Sequence, residues 1–232
     1  NYALNNGATI ASAAFGANEQ TIILTTSILT TGTTYQLTVK NVKDRASTPN
    51  VIAAGTKVTF TATEKPQIGL LREVYSASAI NGYLDSLTNN AIYPDSPTTS
   101  EIWTNGFEMP VDVADYYGQR LRGYVQPPAS GSYIFWISSD DNSALYLSTD
   151  EQPAQKRLIA NVATWTGSRE WTKEANQQSA GITLEAGKIY YIEALMAEGA
   201  GGDNLAVRWQ LPNGTMEEPI PATRTLPWGI AF

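Results

Sequence analysis

The stretch YYGQRLRGYVQPPASGSYIFWISSDDNSALYLSTD, residues 116–150, decides the fold. Within SYIFWIS successive side chains alternate across a strand, so Tyr133, Phe135 and Ile137 share one side and Ile134 and Trp136 the other. Both sides are apolar, which suits a strand buried between layers. The run ends on Asp140 and Asp141, followed by Asn142. Adjacent carboxylates repel each other, and each costs energy to desolvate. A water-facing turn tolerates such a pair, and a bound cation would stabilise it. Judged alone, Asp-Asp-Asn reads as a solvated turn.

Further segments of the same kind flank this stretch: LLREVYS (70–76), QRLRGYVQ (119–126), ALYLSTD (144–150), GITLEAGKIYYIEALMAEG (181–199) and NLAVRWQLP (204–212). Pro212-Asn213-Gly214 predicts a reversal after the last of them, and SASAINGYLDSLTNNA (76–91) leaves room for one short helical turn. Composition agrees with strands joined by polar loops: the 232 residues include 12 Tyr and 6 Trp but only 16% charged residues. The chain has no Cys and no His, which excludes Ser-His-Asp and Cys-His catalysis and the usual zinc sites. Carboxylates remain, and they serve both glycosidase chemistry and calcium. A net charge of −7 argues against nucleic acid and anionic membranes as partners. No run approaches the ~18 apolar residues of a membrane span, so no membrane insertion is expected. The opening NYALNNGATI is no signal peptide, and the chain is expected to belong covalently to a longer multidomain protein.

Residues 1–64 carry shorter alternating segments: TIASAAF (9–15), TIILTTS (21–27), YQLTVKNV (35–42) and KVTFTAT (57–63), with GANEQ (16–20) among the turns. The pattern TTGTTYQLTVKNVKDRA…GTKVTFTAT, with Tyr35 and Asp44, resembles the second half of bacterial immunoglobulin-like repeats. A full domain of that kind has about seven strands, so a partial sandwich and a spacer role are expected. TEKPQ (63–67) reads as the join, with residues 65–68 as linker and Pro66 ending the last strand.

Residues 69–232 resemble the PA14 domain, a β-sandwich module found in bacterial glycosidases and adhesins and in yeast flocculins. The resemblance is carried in order by GLLREVYS, the stretch quoted first, LEAGKIYYIEALMAEGAGGDNLAVRWQLPNG and PIPATRTL. It implies an all-β chain: a PA14-type antiparallel β-sandwich preceded by a partial immunoglobulin-like β-sandwich.

The resemblance also bears on the acidic pair. PA14 lectins carry an Asp-Asp calcium motif at this position, joined by a cis peptide, and Asp140 and Asp141 match it. AEGAGGDN (197–204) supplies a second acidic, glycine-rich loop, whose glycines can turn carbonyls toward an ion. The resemblance implies Ca2+ held by Asp140, Asp141, Glu198, Asp203 and the Gly199 carbonyl. Open coordination positions would then take vicinal hydroxyls of a sugar, with neighbouring contacts from Asn142, Asn204, Trp165, Trp171 and the pair Tyr116/Tyr117. For Trp136, Trp171 and Trp209 the plainer reading is packing.

The leading expectation is a non-catalytic, calcium-dependent carbohydrate-binding module of a secreted or cell-surface protein. The alternatives are a spacer or protein-docking unit, and an accessory domain of a glycoside hydrolase. Asp140 and Asp141 are poorly placed as a glycosidase pair, because neighbours at one strand end cannot flank a glycosidic bond.

Overall fold

The computed structural model describes residues 1–15, 21–27, 29–44, 46–53, 55–63 and 68–229. Contacts divide the chain into two compact units, Asn1–Lys65 and Pro66–Phe232. The expected turn at 16–20 and the Pro66 strand end fall outside the described residues.

The first unit holds β1 (Tyr2–Leu4), β2 (Ile10–Phe15), β3 (Ile22–Thr26), β4 (Thr34–Val39) and β5 (Thr56–Thr61). Antiparallel pairing joins β1, β4 and β5 in one sheet and β2 with β3 in another. The sequence reading lacked β1, which is only three residues long. Tyr35 is buried, stacks on Phe60 and accepts a hydrogen bond from Thr30 N. Asp44 closes its loop by accepting from the amides of Ala46 and Asn50.

The second unit holds β6 (Leu70–Ser76), α1 (Leu84–Thr88), β7 (Thr99–Trp103), β8 (Tyr117–Val125), β9 (Gly131–Asp140) and β10 (Ser143–Leu147). It continues with β11 (Arg157–Val162), β12 (Ile182–Leu184), β13 (Tyr190–Glu198), β14 (Asn204–Gln210), β15 (Met216–Glu217) and β16 (Thr225–Pro227). One sheet runs β11-β10-β13-β8-β6-β7, with β16 added along β8; the other runs β12-β9-β14-β15. Every pairing in the two sheets is antiparallel.

The core lies between these sheets. Tyr133, Phe135 and Ile137 of β9 meet Leu121 of β8, Leu145 of β10, and Ile192 and Ala194 of β13. Trp209 of β14 is fully enclosed against Tyr133 and Phe135. The opposite face of β9 is apolar as expected, and among the described residues of this unit no further sheet lies over it. Trp136 instead packs with Trp171 and Ala206, and the Arg208 guanidinium lies 4.6 Å and 4.8 Å from the two indole rings. The long segment 181–199 forms two strands rather than one, broken by a turn through Gly187 at φ +76°. The reversal at Pro212-Asn213-Gly214 forms as expected, with Gly214 at φ +85° and Leu211 N bonded to Thr215 O.

Candidate metal and ligand site

Strand ends assemble the site. β9 stops at Asp140, whose peptide bond to Asp141 is cis, and β13 stops at Glu198. β14 begins at Asn204, the register partner of Asp140, so the 199–203 connection lies beside the acidic pair. Asp140, Asp141 and Glu198 each bring a carboxylate oxygen to within 4.8 Å of the other two. Glu198 is fully buried, yet neither of its oxygens has a hydrogen-bond partner. Burial, then the charges of Asp141 and Asp140, pushes its carboxyl up to about 8. Asp140 is raised to about 6, by burial and then by Asp141.

A buried acceptor without a donor costs about 1–3 kcal/mol, more when charged. Among the described residues six buried side-chain polar atoms, donors and acceptors together, have no hydrogen-bond partner. Four are acceptor oxygens at this place: both of Glu198, Oδ1 of Asp203 and Oδ1 of Asn204. Hard oxygen atoms left without a formed hydrogen bond are what a hard cation such as calcium takes. The residues present therefore fit that ion.

The remaining expected residues fall into different places. Asp203 lies outside the group of three: its Oδ2 accepts from the amides of Val113 and Ala114, at 2.7 and 3.0 Å. Gly199 meets Asp141 through its N–H, which donates to Oδ2, while its carbonyl accepts from Tyr116 N. Its contact with Asp141 is thus made through a donor. Asn142 is committed to the fold: Oδ1 accepts from Leu84 N at the start of α1, and Nδ2 donates to the carbonyls of Val162 and Ala163. That leaves its amide no free N–H for a sugar. Asn204 donates from Nδ2 to Thr166 O and keeps its Oδ1 unpaired. Trp171 is buried beneath Arg208 and cannot present a face to a ligand, so the packing reading holds for it. Trp165 is half-exposed, and Asp140 and Trp165 form an isolated antiparallel bridge.

A pocket of about 400 Å³ opens at Asp141, bounded by Asn81, Gly82, Tyr83, Tyr116, Thr164, Trp165 and Gly199. Three of these are exposed aromatics: Tyr83 at 68%, Tyr116 at 49% and Trp165 at 51%. Glu174 pins the Trp165 loop by accepting from Ala163 N, Thr164 N and Thr164 Oγ1. Arg169 ties the same loop to Glu108 through two hydrogen bonds of 2.7 and 2.6 Å.

Comparison with known sequences places this architecture. The model of the PA14 domain matches residues 68–222. The chain belongs to the PA14 domain family. The chain is similar to N-acetyl-beta-glucosaminyl-glycoprotein 4-beta-N-acetylgalactosaminyltransferase 1 of Mus musculus: 38% identity over 99 residues, covering 40% of this chain and 10% of that protein. Similarity to fibrocystin of Canis lupus familiaris is 27% over 156 residues, covering 61% of this chain and 4% of that protein. The chain thus spans a tenth or less of the length of these relatives. Among solved structures, the Epithelial Adhesin 9 A domain of Candida glabrata, in complex with Galβ1-4GlcNAc, superimposes with a TM-score of 0.52. That likeness has 16% identity and covers 70% of this chain and 91% of the adhesin domain, and it speaks for the fold.

Within the PA14 unit, the sequence reading missed Asn81, Gly82, Tyr83 and Thr164 as pocket residues. Asn81-Gly82 is a turn signal that could have been read. Gly82 sits at φ +84°, and a Cβ there would lie 2.6 Å from Asp141 Oδ2. Only glycine lets this turn close on the acidic pair.

Proposed function

We propose that the chain is a non-catalytic, calcium-dependent carbohydrate-binding module of a larger secreted or cell-surface protein. The observation that carries this reading is Glu198: a fully buried carboxylate with two unpartnered oxygens, grouped with Asp140 and with Asp141, which lines an aromatic pocket. Asp140, Asp141 and Glu198 are the carboxylates that would hold the ion, and Asn204 Oδ1 is a neutral oxygen available next to them. Calcium bound there supplies coordination positions that vicinal hydroxyls of a pyranose can take. Tyr83, Tyr116 and Trp165 offer apolar ring faces to the carbon side of the same sugar. The sugar complex of the similar adhesin domain supports this class of ligand.

Single-site affinity should be weak, since a polar ligand must exchange good hydration for its contacts. Residues 1–64, which resemble part of an immunoglobulin-like repeat, would then act as a spacer. A glycan array probed in calcium and again in EDTA tests the reading. Binding in calcium that disappears in EDTA is expected. Binding that survives EDTA would place the ligand on the aromatic rings alone, and no binding in either condition would favour the spacer or docking alternative.

A further inference from the structure

A row of polar side chains runs through the apolar interior of the PA14 sandwich toward the site. Arg72 of β6 and Gln119 and Tyr117 of β8 lie in register on the strand faces that carry Leu70 and Leu121 into the core. Their exposures are 9%, 0% and 1%. Arg72 donates from Nη1 to Glu101 at 2.9 Å and from Nε to Gln119 Oε1 at 2.8 Å. Gln119 in turn donates from Nε2 to the Tyr117 hydroxyl at 2.7 Å.

The direction of this chain is fixed by its first member. A guanidinium can only donate, so the amide oxygen of Gln119 must face Arg72 and its NH2 must face Tyr117. The Tyr117 oxygen is then an acceptor, and its own proton points onward. Tyr117 and Glu198 are opposed residues of the β8–β13 pair. The phenol also lies close enough to Asp203 and Glu198 that, after burial, their charges raise its pKa. Asp203 Oδ1 and the two Glu198 oxygens, on the two residues whose charges the phenol feels, are acceptors without a hydrogen-bond partner. Apolar side chains would fill this interior at less cost than a buried polar chain, so the row calls for a role.

We propose that Arg72, Gln119 and Tyr117 form a one-way donor relay that positions the acidic loop by presenting the Tyr117 O–H to the carboxylates of Asp203 and Glu198. Through Asp203 the relay reaches the pocket wall. The Asp203 carboxylate holds Val113 and Ala114, and the same loop is tied to the 199–201 connection by Tyr116 N on Gly199 O and Gly201 N on Asp115 Oδ1. These residues position; they do not themselves bind a ligand. The affinity arm of the test below rests on the calcium reading, and the exchange arm does not.

Gln119→Glu reverses the relay at nearly constant shape. A carboxylate only accepts, so it would take the protons of both Arg72 and Tyr117 and turn the phenol away from Asp203. Tyr117→Phe removes the same proton with the ring retained. In metal-free protein, both variants should speed hydrogen exchange at the Val113 and Ala114 amides, with β9–β14 amides as the unchanged reference. In calcium titrations each should weaken binding roughly tenfold, the order found for outer residues that orient metal ligands. The double variant should bind no more weakly than Tyr117→Phe alone, because both changes withdraw one proton. Unchanged exchange and affinity in Gln119→Glu, or additive losses in the double variant, would overturn the relay. If the wild type binds no calcium while Gln119→Glu still speeds exchange at Val113 and Ala114, the relay stands and the cation reading falls.

Discussion

In β4, Tyr35 and Val39 are buried but Leu37 between them is only half-buried, and in β5 Val58 and Phe60 stand exposed. In β13 all nine residues from Tyr190 to Glu198 are buried. Strands of both units are rich in β-branched and aromatic residues and are set off by turns. What differs is what lies over the strands. The second unit sets one sheet against another, and the outward side of β8 and β13 has its own cover, where Arg120 and Arg122 both bind Glu73 and Trp228 packs on Tyr124 and Tyr191. Composition and turns thus predict strands, and a second layer decides whether they make a core.

The largest expected effect tests that difference directly. Trp209→Ala should cost about 3–5 kcal/mol, because it empties a space enclosed by Tyr133 and Phe135. Val58→Ala in the first unit should stay within about 0.5 kcal/mol, as for an exposed residue. Denaturant unfolding of each variant measures this, and a comparable loss at Val58 would break the contrast. Hydrogen exchange should rank the units the same way, with β13 amides far slower than those of β4.

Calcium comes next. Asp140→Ala with Asp141→Ala should abolish calcium binding in titration calorimetry and abolish any rise in melting temperature on adding the ion. Far-UV circular dichroism should show the sandwich retained, since the pair sits at the end of β9 rather than in its packed middle. Residual tight binding in the double variant would remove the site from this place.

The metal-free site also predicts a pH dependence. Glu198 at about 8 and Asp140 at about 6 both lie above the ordinary values of 4.5 and 3.8. Between those limits the folded chain holds protons that the unfolded chain has released, so stability falls as pH rises. In EDTA the melting temperature of the second unit should drop from pH 5 to pH 8. In saturating calcium the drop should shrink or vanish, because the ion offsets the same buried charge. A flat profile in EDTA would mean that Glu198 is not desolvated as its position indicates.

How much of this was legible in the sequence depended on whether a feature was local. The two faces of β9 could be read from SYIFWIS, and Asp140 and Asp141 from residue type and position. β7, β11 and β16 were not read, because they are short or carry polar residues along a solvated side. Thr99, Ser100 and Glu101 of β7 are exposed, as are Arg157 and Leu158 of β11. The pocket was legible only in part: its walls come from residues 81–83, 116, 163–165 and 199–200, and no local pattern joins those segments. The commitment of Asn142 to α1 and to the 162–163 carbonyls was likewise hidden, since it depends on partners far away in the chain.

The two tryptophans of WTGSREW give the smallest and sharpest comparison, because one loop presents both. Trp171 is 8% exposed and packs under Arg208 with Trp136, whereas Trp165 is 51% exposed at the pocket. Lys173 lies over the Trp165 ring, so a ligand would use the side of the indole that faces the pocket. Trp165→Ala should leave stability nearly unchanged and calcium affinity intact, since no carboxylate depends on its side chain. Sugar affinity should fall by about 1 kcal/mol, roughly fivefold, the scale of one aromatic contact. Trp171→Ala should do the opposite first, lowering the melting temperature by exposing Trp136 and freeing Arg208, and should weaken sugar binding only as the loop loosens. Paired titrations and melts of the two variants separate the roles. Equal losses of stability would show that the loop acts as one packed body, with no ring held out for a ligand.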